Sequence, residues 1–186
     1  MRIISGYLGG RKIAQPNNKF TRPLKDLTKE SIFNILQHSN LINFDLKKSI
    51  ILDLFSGVGS FGLECISRGA QNVIFCENYP TAIKILKKNI LDFGCQHKTK
   101  IITKNIFDIK NFDKFYNKKF GLIFLDPPYK EKRLNNLLEK IISLNLLTKN
   151  GIFIIHRHKK EKDEFPKKFN IFKKKIYGIS KIIFGN

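Results

Sequence analysis

Residues 50–62 read Ile50-Ile51-Leu52-Asp53-Leu54-Phe55-Ser56-Gly57-Val58-Gly59-Ser60-Phe61-Gly62. The first six are apolar except for one acid. So short a run suits a strand covered on both faces, as in a parallel sheet. Gly57, Gly59 and Gly62 then satisfy G-x-G-x-x-G and open a helical stretch from Phe61 to Arg68. Strand, glycine turn and helix in that order predict a βα unit that lets a ligand approach the backbone. Free N–H groups at the helix start would point at that ligand. The bland alternative is a tight turn that uses glycine only for positive φ; the strand–turn–helix context favours the ligand loop.

Outward from this unit the pattern repeats. Apolar runs at Asn72–Cys76, Lys100–Thr103, Leu122–Leu125 and Ile152–Ile155 alternate with helical stretches at Pro80–Phe93 and Lys132–Leu147. In the first of these, Ala82, Ile85, Leu86, Ile90 and Phe93 recur at helical spacing. Such alternation predicts right-handed crossovers and a doubly covered, Rossmann-like α/β sheet. The N-terminal segment, with Gly6, Gly9, Gly10 and Pro16, reads as an extended or hairpin element, and Thr21-Arg22-Pro23 leads into a helix over Lys25–His38. Near the C-terminus two apolar segments around Gly178 predict an antiparallel hairpin closing the sheet edge. The expected organisation is one domain over 1–186, with an N-terminal appendage (1–38) and a core (48–186).

Composition narrows the partners. The chain has 186 residues, 35 Lys and Arg against 15 Asp and Glu, and a net charge of +20. A polyanion such as nucleic acid is the natural partner. The excess of Lys over Arg fits drift toward an AT-rich genome, but that exchange creates no charge. The Lys159-Lys160, Lys167-Lys168 and Lys173-Lys174-Lys175 runs read either as phosphate contacts or as solvated faces. No apolar run reaches membrane-spanning length. The start has no secretory h-region, and Cys65, Cys76 and Cys95 form no CxxC pattern. A reducing cytoplasm is the expected compartment, and no feature demands more than a monomer.

Candidate ligand residues follow from the predicted strand ends. Asp53 is a lone charge in an apolar strand and needs partners, from loop N–H groups or a ligand ammonium. Glu77 ends the second strand, 18 residues past Gly59, where an acid can hold both ribose hydroxyls of an adenosine ligand. Asp53, Phe55, Ser56, Gly57, Gly59, Glu77 and Asn78 are the expected cofactor set. Asn105, with Ile106 and Phe107, follows the third strand and is placed to meet adenine. A nicotinamide dinucleotide and S-adenosylmethionine both remain open at this point.

Asp126-Pro127-Pro128-Tyr129 closes the fourth strand and separates them. An acid, two prolines and an aromatic in this position are the signature of methyl transfer to exocyclic amines. The lone pair of such an amine is delocalised into its ring. The Asp126 carboxylate and Pro127 carbonyl can accept its two hydrogens, turn the lone pair toward a methyl sulfonium and stabilise the growing positive charge. Pro127 and Pro128 fix φ and remove competing N–H donors, and Tyr129 offers a stacking face worth about 1–3 kcal/mol. A nicotinamide oxidoreductase gives these four residues no task. His156 and His158 flank Arg157 beyond the fifth apolar run. With no further ligand cluster they predict surface or RNA contact rather than metal.

Together these blocks resemble the bacterial 16S rRNA (guanine(966)-N(2))-methyltransferase family over essentially the whole chain. The similar stretches are Arg2-Ile3-Ile4-Ser5-Gly6 with Gly10-Arg11-Lys12; Arg22-Pro23 with Asp26, Glu30, Phe33, Asn34 and Leu36; Asp53–Arg68; and Asp126–Tyr129 with Tyr177-Gly178. The resemblance implies a class I methyltransferase with a seven-stranded sheet whose last strand is antiparallel. It also implies S-adenosylmethionine as donor and the N2 amine of a guanine in 16S rRNA, or in the assembling small ribosomal subunit, as acceptor. Leu24, Leu27 and Asn78 depart from the family's usual residues. Arg2, Arg11, Lys12, Arg22, Lys25, Lys159 and Lys160 are the expected RNA contacts around the site. The rival readings are an N6-adenine or N4-cytosine methyltransferase, for which the chain offers no obvious target-recognition domain, and a non-catalytic rRNA-binding assembly factor.

Overall fold

The apolar runs pair edge to edge because they are buried on both faces and can satisfy their backbone groups only with one another. The computed structural model describes residues 1–16, 24–108, 115 and 118–186. Its elements are α1 (Asp26–His38), β1 (Ile50–Leu54), α2 (Ser60–Ser67), β2 (Asn72–Cys76), α3 (Pro80–Asp92), β3 (Thr99–Ile102), β4 (Phe120–Leu125), α4 (Leu134–Ser143), β5 (Leu147–His158), β6 (Ile171–Tyr177) and β7 (Ser180–Gly185). They form a seven-stranded sheet in the order β3-β2-β1-β4-β5-β7-β6. The first five strands are parallel, and β7 inserts antiparallel between β5 and β6. The strand order reverses between β1 and β4. In such sheets the crevice at the carboxyl ends beside that reversal is the place for a ligand.

Each face carries its own apolar layer. Ile51, Leu122, Phe124, Ile152, Ile154, Ile182 and Phe184 pack with residues of α1, α2, α3 and the N-terminal hairpin. Leu52, Leu54, Ile123, Leu125, Phe153, Ile155 and Ile183 pack with α4, Phe115 and Phe169. The same period-two alternation decides which polar residues beyond the strand ends share a face.

The N-terminal appendage is fastened to the core by polar contacts. Residues 1–13 fold back on themselves through Ile3 N–H to Arg11 C=O, Gly10 N–H to Ile3 C=O and Ile13 N–H to Met1 C=O. The buried Glu64 carboxylate on α2 accepts from Ile4 N–H (2.7 Å) and Ser5 N–H (3.0 Å). It also pairs with Lys29 of α1 at 3.5 Å and Arg68 at 2.7 Å. Asn89 on α3 accepts from Ala14 N–H and donates to the Val58 carbonyl, linking the hairpin to the glycine loop.

Two elements differ most from expectation. The fourth helix stops at Ser143 instead of Leu147, because Asn145 adopts a left-handed φ of 49° and Leu147 already pairs with Phe120. The fifth strand runs to His158, well beyond Ile155. Its His156, expected at the surface, is 4% exposed, and Arg157 is 2% exposed. Antiparallel pairing with β7 carries the strand through them: His156 faces Ile182 and Arg157 faces Lys181. Thr21, Arg22 and Pro23 lie outside the described residues.

Candidate active site

Four strands deliver their polar groups to one end of the sheet. Asp53 sits one residue before the end of β1; Glu77, Asp126 and His156 follow or close β2, β4 and β5. With Phe55, Gly57, Tyr79, Phe124 and Tyr129 they line a cavity of about 440 Å³, covered in part by Met1, Gln15, Pro16 and Leu24 from the appendage. A second hollow of about 160 Å³ adjoins it across Phe55, Glu77, Asn78 and Pro128, and is lined by Asn105, Ile106, Phe107 and Arg133. The expected cofactor residues Phe55, Glu77 and Asn78 therefore stand between two connected spaces.

The loop takes an unusual path to do this. Phe55 holds φ at 60°, a left-handed value rare for an aromatic residue. Gly59 caps α2 at φ 85°, where an added Cβ would lie 2.4 Å from a Leu86 methyl. Two N–H groups of the glycine stretch are engaged by carboxylates: Gly57 N–H donates to Glu77 Oε2 at 2.7 Å and Gly62 N–H to Asp53 Oδ2 at 3.0 Å. Glu77 Oε1 accepts from Asn78 and Tyr79 N–H. A dinucleotide pyrophosphate needs those N–H groups free and meets three carboxylates here instead. This geometry removes the oxidoreductase reading.

Asp53 is 1% exposed, and its Oδ1 has no hydrogen-bond partner among the described residues. Burial raises its pKa well above the usual carboxylate value, and Asp126 and Glu77 nearby raise it further against the Gly62 N–H. A buried acceptor with no donor, in a cavity of negative charge, fits a cationic ligand group.

The 126–131 segment is held from behind. Asp126 N–H donates to the Leu54 carbonyl. His156 Nδ1 lies 2.8 Å from Asp126 Oδ1, and its Nε2 lies 2.9 Å from Ser180 Oγ on β7. Arg157 donates from its guanidinium to the carbonyls of Pro128 (2.9 Å), Tyr129 (3.1 Å) and Glu131 (3.1 Å), while Asp163 Oδ1 receives its Nε–H at 2.7 Å. The half-buried Tyr129 ring sits edge-on to His158, with centroids 5.1 Å apart. Among the described residues no hydrogen bond reaches the Pro127 carbonyl. Sequence reading missed His156, Arg157, Asp163 and Ser180 as parts of this site. The available signal was parity: 122, 124, 126 and 152, 154, 156 continue the same face of paired strands.

The remaining expected residues divide. Asn105 lines the smaller hollow, but its Oδ1 accepts from Phe107 N–H at 3.1 Å, so it shapes the turn there. The Phe107 ring lies under the Arg133 guanidinium at 3.8 Å and beside Phe55. Arg133 in turn pairs with Glu131 and holds its carboxyl below the usual range. Lys12, Lys25, Lys159 and Lys160 are exposed. Arg2 reaches toward Asp26 at 3.9 Å. Arg11 donates to the Asp92 carbonyl and stacks on Phe93, fastening the hairpin to α3.

Known proteins share this fold. The family model described as conserved hypothetical protein 95 matches residues 1–186. The chain belongs to this family. It is 33% identical over 184 residues to the Ribosomal RNA small subunit methyltransferase D of Haemophilus influenzae, covering 96% of this chain and 90% of that protein. The solved structure of yhhF from Escherichia coli superposes with a TM-score of 0.80 at 20% identity, covering 100% and 96% of the two chains. The crystal structure of SMU.776 complexed with SAH matches with a TM-score of 0.64 at 16% identity, over 86% of this chain and 50% of that one. The family's fold is thus the seven-stranded α/β sheet found here. No helix among the described residues is long and apolar enough to cross a membrane, and no group of metal ligands occurs among them.

Proposed function

We propose that this chain transfers a methyl group from S-adenosylmethionine to the N2 amine of a guanine in 16S rRNA, on the free RNA or the assembling small subunit. The observation that carries the reading is Asp126 and Pro127 after the end of β4, lining one cavity with Asp53 and Glu77, with no hydrogen bond to the Pro127 carbonyl among the described residues. A relative named rRNA small subunit methyltransferase and a fold neighbour complexed with SAH support substrate class and cofactor.

Bound here, S-adenosylmethionine supplies an electrophilic methyl on a sulfonium. Asp53 Oδ1 would take a donor of its ammonium, Glu77 the ribose hydroxyls, and Phe55, Ile106 and Phe107 the adenine face. Asp126 and the Pro127 carbonyl would each accept one N–H of the target amine and hold its lone pair in line with the methyl. As the nitrogen gains positive charge, the Asp126 carboxylate stabilises it and takes up the proton it sheds. Tyr129 would stack on the base, which must leave its helix stack to enter. Lys25, Lys159 and Lys160 would meet backbone phosphates, Arg2 and Lys12 would extend that surface, and the protein would act as a monomer in the cytoplasm.

The test is Asp126→Ala, assayed with labelled S-adenosylmethionine and small subunits lacking the modification. Turnover should fall at least about 100-fold with cofactor affinity within a few-fold of wild type, and the wild-type label should appear as N2-methylguanosine. Label in N6-methyladenosine would keep the mechanism and replace the substrate. Full turnover by the variant would remove Asp126 from the chemistry.

A further inference from the structure

We infer that His156 is the positioning residue for Asp126, holding one carboxylate oxygen so that the other meets the target amine. The inference rests on the methyl-transfer reading above. An ionised carboxylate only accepts, so the 2.8 Å contact between His156 Nδ1 and Asp126 Oδ1 places the hydrogen on Nδ1. That bond occupies one carboxylate oxygen from behind. No hydrogen bond among the described residues reaches Oδ2, which leaves it for the substrate. The ring is fixed at its far side by Ser180 Oγ, 2.9 Å from Nε2, and both residues are buried. A side chain held at both nitrogens has one orientation, and it confers that orientation on Asp126.

With the hydrogen on Nδ1, Nε2 is the acceptor and Ser180 Oγ donates to it. The Tyr129 ring edge, with centroids 6.1 Å apart, completes the surroundings of the imidazole. Asp53 of β1, Glu77 after β2 and Met1 of the hairpin line the same cavity. Arg157 belongs to the opposite face and is neutralised there by Asp163.

The experiment compares His156→Leu and His156→Asn in single-turnover methylation of small subunits, with S-adenosylmethionine affinity measured in parallel. His156→Leu should lower the rate about 10- to 100-fold at unchanged cofactor affinity. His156→Asn, whose amide restores a donor near the Nδ1 position, should recover most of the rate. A wild-type rate in His156→Leu overturns the inference. So does a His156→Asn variant as slow as the leucine. If the leucine variant does not fold, His156→Gln, whose amide matches the Nε2 position instead, takes its place and should stay slow; a rate equal to that of His156→Asn overturns the inference. The Asp126→Ala control separates the two levels: an active alanine variant sinks the site reading, whereas an inactive one beside an unimpaired His156→Leu sinks only this inference.

Discussion

Asp53 illustrates a residue kept at a cost in stability. Its carboxyl holds its proton to higher pH in the folded protein than in the unfolded chain, because it is buried near Asp126 and Glu77. The sign follows from linkage. Below the ordinary carboxylate range both states are protonated and the group is neutral to stability. As pH rises through the ordinary range the unfolded chain ionises first, and the fold loses stability progressively until the folded-state value is passed. Asp53→Asn should therefore raise the thermal midpoint of the ligand-free protein by a few degrees at neutral pH. At acid pH the gain should vanish. Cofactor binding should weaken about 10- to 100-fold, the worth of a charge-assisted hydrogen bond. Calorimetric unfolding at two pH values and titration with S-adenosylmethionine check both. A variant that binds as tightly as wild type would show that the ammonium goes elsewhere.

Among the elements, the joints matter most. The hairpin, α1 and α2 meet on Glu64, whose two oxygens receive two backbone N–H groups, Lys29 and Arg68. Burial lowers the Lys29 pKa despite its acidic partners. Glu64→Ala takes the nearer carboxylate from a buried ammonium, which keeps the Arg2 carbonyl and Ser60 Oγ, and leaves two N–H donors without their acceptor; it should cost about 3–5 kcal/mol of stability by urea denaturation. Glu64→Leu combined with Lys29→Met removes both charges and should recover most of the Lys29 share of that loss. Because Met1, Gln15, Pro16 and Leu24 wall the cavity, a loosened hairpin should also raise the KM for rRNA. The Arg157 clamp plays the matching part on the far side, tying three carbonyls of the 128–131 segment to β5.

At the scale of the whole molecule, charge is distributed unevenly. The chain carries +20 overall, yet three carboxylates line the cavity at the strand ends. A cationic cofactor suits the interior, and a polyanionic substrate suits the surface. Reversing Lys25, Lys159 and Lys160 together to glutamate should weaken rRNA binding. The slope of log K against log salt should become shallower by about 0.7–0.9 for each phosphate that is no longer neutralised. Cofactor affinity should not change. Equal slopes for variant and wild type, measured by filter binding at several salt concentrations, would place the RNA on another face.

Local pattern alone determined most of the fold. Apolar runs of strand length, glycines at a βα turn and helical stripes are short-range features, and they located β1 to β4, the first three helices and the terminal hairpins. Asp53, Glu77 and Asp126 were legible for the same reason: a charge at the end of an apolar run stands out. The tertiary structure decided what depends on pairing between distant segments. Arg11, expected to meet RNA, donates to the Asp92 carbonyl and stacks on Phe93 across 81 residues of sequence while it stays exposed. His156 and Arg157 look like surface residues in sequence, because a polar residue normally ends a strand. Pairing with β7 extended β5 through them. Only then did period two turn one toward Asp126 and the other toward the carbonyls of 128–131, where burial is offset by hydrogen bonds that no linear pattern records.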